Sequence, residues 1–288
     1  MTPLPTLCAE ASERAGEPLA GTAATDETWV FVEERGAWAE KPLQSEGLAP
    51  IRPALEAWLG ALGDARLQLI RHPRQSETEP RPTRRVFLAR PAEGRAVSLE
   101  LADDAFAGFD PARALAEAPP LETPTYFVCT HGKRDRCCAV RGMALYRALA
   151  AGGEDDLWQT SHLGGHRFAA TMTTLPHGYC LGRVDAAEAP AIRAASGLHD
   201  LEKLRGRTGW PAAIQAAEVA VRRRLGTTDP AATRLLDAEE GPAGTTVRFR
   251  GPAGATHAAT VARMERTTTR PKSCGREPEP VAGWETVE

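Results

Sequence analysis

The chain has 288 residues, 42% of them hydrophobic and 25% charged, and its 35 basic and 38 acidic side chains leave a net charge of -3. That composition is globular, the length can bury a sizeable core without metals or disulfides, and the near-cancelling charge argues against nucleic acid or an anionic membrane as partner. No window approaches 18 uninterrupted apolar residues and the opening MTPLPTLCAEASERAGEP has neither a basic leader nor an apolar stretch, so a cytoplasmic chain without a span or signal peptide is expected.

After a polar N-terminal arm, WVFVE at 29–33 reads as a strand, and Ile51, Ala54, Leu55, Trp58, Leu59 and Leu62 fall at helical spacing. Leu67 and Leu69 alternate within RLQLIR, a Pro-rich charged stretch covers 72–84, and VFLARP and AVSLEL face each other across Glu93 and Gly94 as a hairpin. Asp110 before Pro111 is an N-cap followed by proline at the first helical position. APPLETP, at 118–124, reads as a linker. Beyond it the order recurs: a strand at 125–129, a helix over about 141–151 closed by Gly152, a strand at 157–162, a hairpin of 168–174 with 179–184, and a helix from near Asp185. Both halves therefore read β-α-β-β-β-α, the order of a minimal thioredoxin-like unit. A helix from Pro211 with Ile214, Ala217, Val221 and Leu225 on one face stops at Gly226, and TTVRFRG with ATVARME forms a hairpin in a β-rich tail. The expected architecture is α/β in three parts: an N-terminal α/β unit over 1–120, a second unit over 121–226 that carries the chemistry, and a β-rich extension over 227–288. Neither GxGxxG nor GxxxxGK[ST] occurs, so nucleotide binding has no support.

Six cysteines in a chain with no export signal read as thiols or metal ligands rather than a disulfide framework, and three of them, Cys129, Cys137 and Cys138, fall within ten residues. Cys129 and Cys138 bracket the loop between a strand and a helix, and His162 and His166 stand four apart across LGG at the end of the next strand. In a thioredoxin-like topology those two loops lie side by side at one end of the sheet. Gly164 and Gly165 let the chain turn so that both imidazoles point the same way. Two thiolates and two imidazoles suit a closed site for zinc or an iron-sulfur cluster. Cys137 is an alternative ligand to Cys138, and His131 reads either as a donor to a ligand sulfur, a surface proton carrier or a loop histidine in water. Cys180 reads as a buried core thiol. Cys8 and Cys274 read as two free thiols, with a bridge or contact between the termini as the lesser alternative. Lys133, Arg134, Arg136 and Arg167 crowd positive charge around the proposed ligands, which would raise a redox potential or dock an acidic partner, or else simply belong to a solvated loop.

These residues resemble the sucrase/ferredoxin-like family, whose core is a thioredoxin-like ferredoxin domain. The likeness rests on CTHGKRDRCC and TSHLGGH, continues into TTLPHGYCLGRV, and is recognisable in AGEPLAGT and GWPAAIQAAE, so that it spans most of the chain. It implies a [2Fe-2S] cluster held by a Cys-x8-Cys pair and a His-x3-His pair, here Cys129, Cys138, His162 and His166. With two thiolates and two neutral imidazoles such a core is neutral when oxidised, and its potential belongs with Rieske centres, at about -150 to +300 mV, rather than near the roughly -400 mV of plant-type ferredoxins. The expected function is one-electron transfer with proton-coupled reduction, between a donor and an acceptor that the sequence does not name, and without a substrate of its own. No paired carboxylates suggest glycoside hydrolysis. A zinc-stabilised interaction domain, or a thiol-disulfide redox protein using Cys129, Cys137 and Cys138, is the alternative.

Overall fold

The computed structural model describes residues 7–72 and 82–287. Residues 73–81 of the expected Pro-rich stretch lie outside them.

A short helix α1 (Cys8–Arg14) lies in the N-terminal arm, and the first half then runs β1 (Thr28–Glu33), α2 (Arg52–Leu62), β2 (Ala65–Arg71), β3 (Thr83–Arg90), β4 (Arg95–Ala102) and α3 (Pro111–Glu117). The Asp110 carboxylate accepts from the Arg113 N–H at 2.9 Å, the cap that the Asp-Pro pair predicts. The second half repeats the order as β5 (Thr125–Cys129), α4 (Met143–Ala150), β6 (Leu157–Thr160), β7 (Met172–Leu175), β8 (Tyr179–Leu181) and α5 (Ala189–Ala194). In each half the first two strands are parallel, while the third and fourth are antiparallel additions. The halves join edge to edge through β2 and β6, where Ile70 pairs with Thr160 and Arg71 with Gln159. With β9 (Leu204–Arg207) they make one nine-stranded sheet in the order β4-β3-β1-β2-β6-β5-β7-β8-β9, a mirror arrangement about the β2/β6 junction.

β1 and β5 are buried along their whole length, which is why both read as continuous apolar runs rather than alternating ones. Period-two alternation still sorts their side chains. Val30 and Val32 of β1 enter the core of the first half with Leu55 and Trp58 of α2, and Tyr126 and Val128 of β5 enter that of the second half with Leu145 and Leu149 of α4. Trp29, Phe31, Phe127 and Cys129 point to the opposite face and form a third core that both halves share. Phe31 stacks on Phe127 at 4.3 Å between centroids. Aromatic contacts of this kind add about 0.5–1.5 kcal/mol beyond their buried area, so the shared face holds the two halves against each other and seats Cys129 at its rim.

A helix α6 (Ala212–Leu225), ended by Gly226 in the left-handed conformation, leads to a separate antiparallel sheet of β10 (Arg234–Gly241), β11 (Gly244–Arg250), β12 (Thr256–Pro271) and β13 (Pro278–Thr286). The fold is thus mixed α/β with a β-rich C-terminus, and the hairpin expected there is the centre of a four-stranded sheet. Among the described residues, no helix is long and apolar enough to cross a membrane.

Candidate metal centre

Cys129 is the last residue of β5, and Cys138 opens a π-helical turn, Cys138–Gly142, that runs directly into α4. The turn packs so closely over the strand end that a Cβ on Gly142 would overlap the carbonyl oxygen of Cys129 and lie 3.1 Å from its carbonyl carbon. Both are backbone atoms, so relief requires moving Cys129 itself. Gly142→Ala is expected to cost about 1–3 kcal/mol, as overpacking does, and to lower the denaturation midpoint. An unchanged midpoint would show that the strand end yields freely.

The sequence predicts β6 through His162, but the strand ends at Thr160 because Ser161 turns to cap its neighbour. Its Oγ accepts from the Leu69 N–H at 3.0 Å and donates to Oε1 of Gln68 at 2.6 Å. The His162 carbonyl then accepts from Nη2 of Arg66 at 2.8 Å and Nε2 of Gln68 at 3.3 Å. All three partners lie on β2, so the half without cysteine chemistry positions the histidine loop. Gly164 and Gly165 turn the chain with φ of 91° and 67°. The buried guanidinium of Arg205 fixes that turn, donating to the Gly164 carbonyl at 2.9 Å, and a Cβ on Gly165 would meet its Nη2 at 2.6 Å.

The outcome is a cluster at one end of the sheet. The Cys129 and Cys138 sulfurs and a nitrogen of His162 lie within 4.8 Å of one another. Nδ1 of His162 stands 4.0 Å from the Cys129 sulfur and 3.7 Å from that of Cys138. His166 falls outside that group but lies against it, its ring centroid 5.1 Å from that of His162. Nε2 of His166 is 2.8 Å from the Lys272 carbonyl and 2.7 Å from Oγ of Ser273. A carbonyl only accepts, so Nε2 carries the hydrogen and Nδ1 keeps its lone pair. That Nδ1 is buried and has no hydrogen-bond partner. Burial also lowers the pKa of His166, so the ring is held neutral, as a ligand must be.

The neighbouring thiols act on each other in opposite directions: Cys138 pulls the Cys129 pKa well below the ordinary thiol value, and Cys129 together with burial pushes that of Cys138 well above it. His162 and the backbone N–H of His131 further favour the Cys129 thiolate. His131 is not a loop histidine in water. It is 3% exposed, edge-on to Trp38 at 5.8 Å, with both ring nitrogens unpartnered and its pKa lowered by burial. Cys180 is a buried thiol, as expected, 3.4 Å from Nη1 of Arg205. Of the four basic residues near the ligands, Arg134 pairs with Glu40 and Arg167 with Glu17, while Lys133 and Arg136 stay exposed.

Cys137 turns away from this group. Its sulfur lies 3.4 Å from that of Cys8 and 3.4 Å from that of Cys274, so the lesser expectation for the termini, a contact, is the one observed. Sequence reasoning passed over Asp135, Arg205, Lys272 and Ser273. Asp135, two residues before Cys137 in KRDRCC, carried the one visible signal.

The donor set fits a metal or an iron-sulfur cluster: two thiols, a half-buried imidazole and a second imidazole with a vacant lone pair converge from two loops. No curated protein and no solved structure matches the chain. The sucrase/ferredoxin-like family model matches residues 19–206, more than half of the sequence and the whole of both loops. The chain therefore belongs to the sucrase/ferredoxin-like family.

Proposed function

We propose that the protein is a one-electron carrier that holds a [2Fe-2S] cluster through Cys129, Cys138, His162 and His166, with the chemistry in residues 121–226. The observation that carries this reading is the buried, partnerless Nδ1 of His166 beside a group that already gathers two sulfurs and His162. When bound, the cluster supplies a site that accepts and returns one electron. The chain's own residues orient and insulate it. Lys272 and Ser273 fix the ring of His166, Ser161, Arg66 and Gln68 fix the loop of His162, and burial of Cys129 and Cys138 excludes water from the sulfurs. Of the two imidazoles, His162 is the half-buried one, while the Nε2 hydrogen of His166 is committed to the Lys272 carbonyl. Exposed Lys133 and Arg136 are the charges an acidic redox partner would meet.

The close spacing of Cys129, Cys138 and His162 also suits a single zinc ion with His166 as fourth ligand, which would make the region an interaction module. The thiol-exchange reading is weakened because the sulfur of Cys137 faces Cys8 and Cys274. Purification without oxygen separates the readings. Two irons and two acid-labile sulfides per chain with red-brown colour are expected, and a colourless protein without sulfide after cluster reconstitution would overturn the electron-carrier reading.

A further inference from the structure

Three cysteines that the cluster leaves unused come from the far ends of the chain and its middle. Cys8 opens α1, Cys137 precedes the π-helical turn, and Cys274 follows β12. Their sulfurs form a nearly equilateral triangle: Cys8 to Cys137 3.4 Å, Cys137 to Cys274 3.4 Å, and Cys274 to Cys8 3.6 Å. A disulfide bond would require about 2.05 Å. A tetrahedral zinc ion, with Zn–S bonds of about 2.3 Å, sets its sulfurs about 3.8 Å apart, close to the observed edges. The fourth corner is present. Oδ1 of Asp135 lies 3.2 Å from the Cys274 sulfur and 3.8 Å from that of Cys8.

The carboxylate is held in place by the backbone. The Cys137 N–H donates to Oδ1 at 2.8 Å and the Cys274 N–H to Oδ2 at 3.1 Å, while the Cys8 N–H points at the Cys274 sulfur at 3.5 Å. Cys8 and Cys137 are fully buried and Asp135 is 7% exposed. Among the described residues, the apolar cluster here consists of Leu7, Cys8, Ala9, Cys137, Ala169 and Cys274, so half of what meets at this point is thiol. The two N–H donors already satisfy the carboxylate, and the case for an ion therefore rests on the three sulfurs that converge beside it.

We propose that Cys8, Asp135, Cys137 and Cys274 bind a structural zinc ion, which ties the N-terminal helix and the segment after β12 to the loop between Cys129 and Cys138. Three thiolates select a soft or borderline ion over Mg2+ or Ca2+, which demand six or more oxygens, and a hard carboxylate oxygen as fourth donor favours Zn2+ over Cu(I). With four protein ligands the site is closed, which suits a structural role. An iron-sulfur cubane would hold the sulfurs further apart than the edges of a single-ion tetrahedron. The same clamp brings the Lys272 carbonyl and the Ser273 hydroxyl onto His166, so the two centres are neighbours with separate ligands.

The test is metal analysis of the full chain and its variants, by elemental mass spectrometry with sulfide determination. The wild type is expected to hold one zinc per chain in addition to any iron. Cys8→Ala and Cys274→Ala should fall from one zinc to none and keep their iron and sulfide, whereas Cys129→Ser should keep its zinc. Zinc lost from Cys129→Ser but retained by Cys8→Ala would overturn the assignment. Should the alanine variants fail to fold, Cys129→Ser decides, because its other thiol site lacks a ligand. Metal-stripped Cys129→Ser protein in reducing buffer must take up one zinc in competition with a chromophoric chelator, and release it when the thiols are titrated with a mercurial. Failure to take up zinc, or a disulfide between two of these cysteines in protein purified under reductant, would refute the site.

Discussion

Cys129→Ser and Cys138→Ser are each expected to reduce iron and sulfide from two per chain to background and to abolish the visible absorbance, while Cys137→Ser keeps both. Adjacency in sequence makes Cys137 and Cys138 look interchangeable, and only the geometry separates them. Both residues have helical backbone angles, and successive side chains on a helix project about 100° apart, so only one can face the end of β5. The one that does is Cys138, whose sulfur lies 3.7 Å from Nδ1 of His162, while the sulfur of Cys137 is 3.4 Å from two other cysteines. Replacing Cys137 removes a sulfur from the triangle with Cys8 and Cys274, so it should lower zinc rather than iron. Iron retained by Cys138→Ser and lost by Cys137→Ser would invert the ligand set and require the turn to rotate by a residue.

The elements legible in the sequence were those whose residues answer to a core or to a turn. β1 and β5 announce themselves because each is buried on both faces, and the β3/β4 hairpin because its turn needs a residue with a left-handed φ, which Gly94 supplies at 66°. Gly94 alone is that turn residue; Glu93 ends the 3-10 turn before it. α1 was not legible, since CAEASER has no apolar stripe and is held by contacts with Cys137 and Ala169. Nor was β9, whose sequence LRGR reads as polar loop although Arg205 and Arg207 are buried at 1% and 5% exposure against Cys180, Tyr179 and Glu218. The candidate site divides the same way. Cys129, Cys138, His162 and His166 carry local spacings that two adjoining loops preserve. The triangle of Cys8, Cys137 and Cys274 has no spacing to read, because its members meet only after both ends of the chain have folded back.

The fold-back itself rests on Glu17, and Glu17→Gln is expected to destabilise the protein by about 3–5 kcal/mol, the usual cost of removing one partner from a buried ion pair. Its carboxylate is 1% exposed and accepts from Nη2 and Nε of Arg270 on β12 at 2.5 and 2.7 Å, from Nε of Arg167 beside His166 at 2.8 Å, and from Oγ of Ser12 in α1 at 2.7 Å. One side chain thus joins the N-terminal arm, the histidine loop and the strand that leads to Cys274. Burial opposes ionisation, but Arg270 and Arg167 outweigh it and hold the Glu17 pKa below the ordinary carboxylate value of 4.5. A group whose pKa is lower folded than unfolded stabilises the fold above its unfolded pKa. The contribution is therefore complete at neutral pH, and it is lost as the pH falls below about 4.5 and through the folded value. Urea midpoints measured from pH 7 down to pH 3 should fall steeply at the acid end for the wild type and less steeply for Glu17→Gln, which starts lower and has no proton to take up at this position. Parallel curves would mean that the acid sensitivity resides in other carboxylates and that Glu17 is not the residue on which the closure depends.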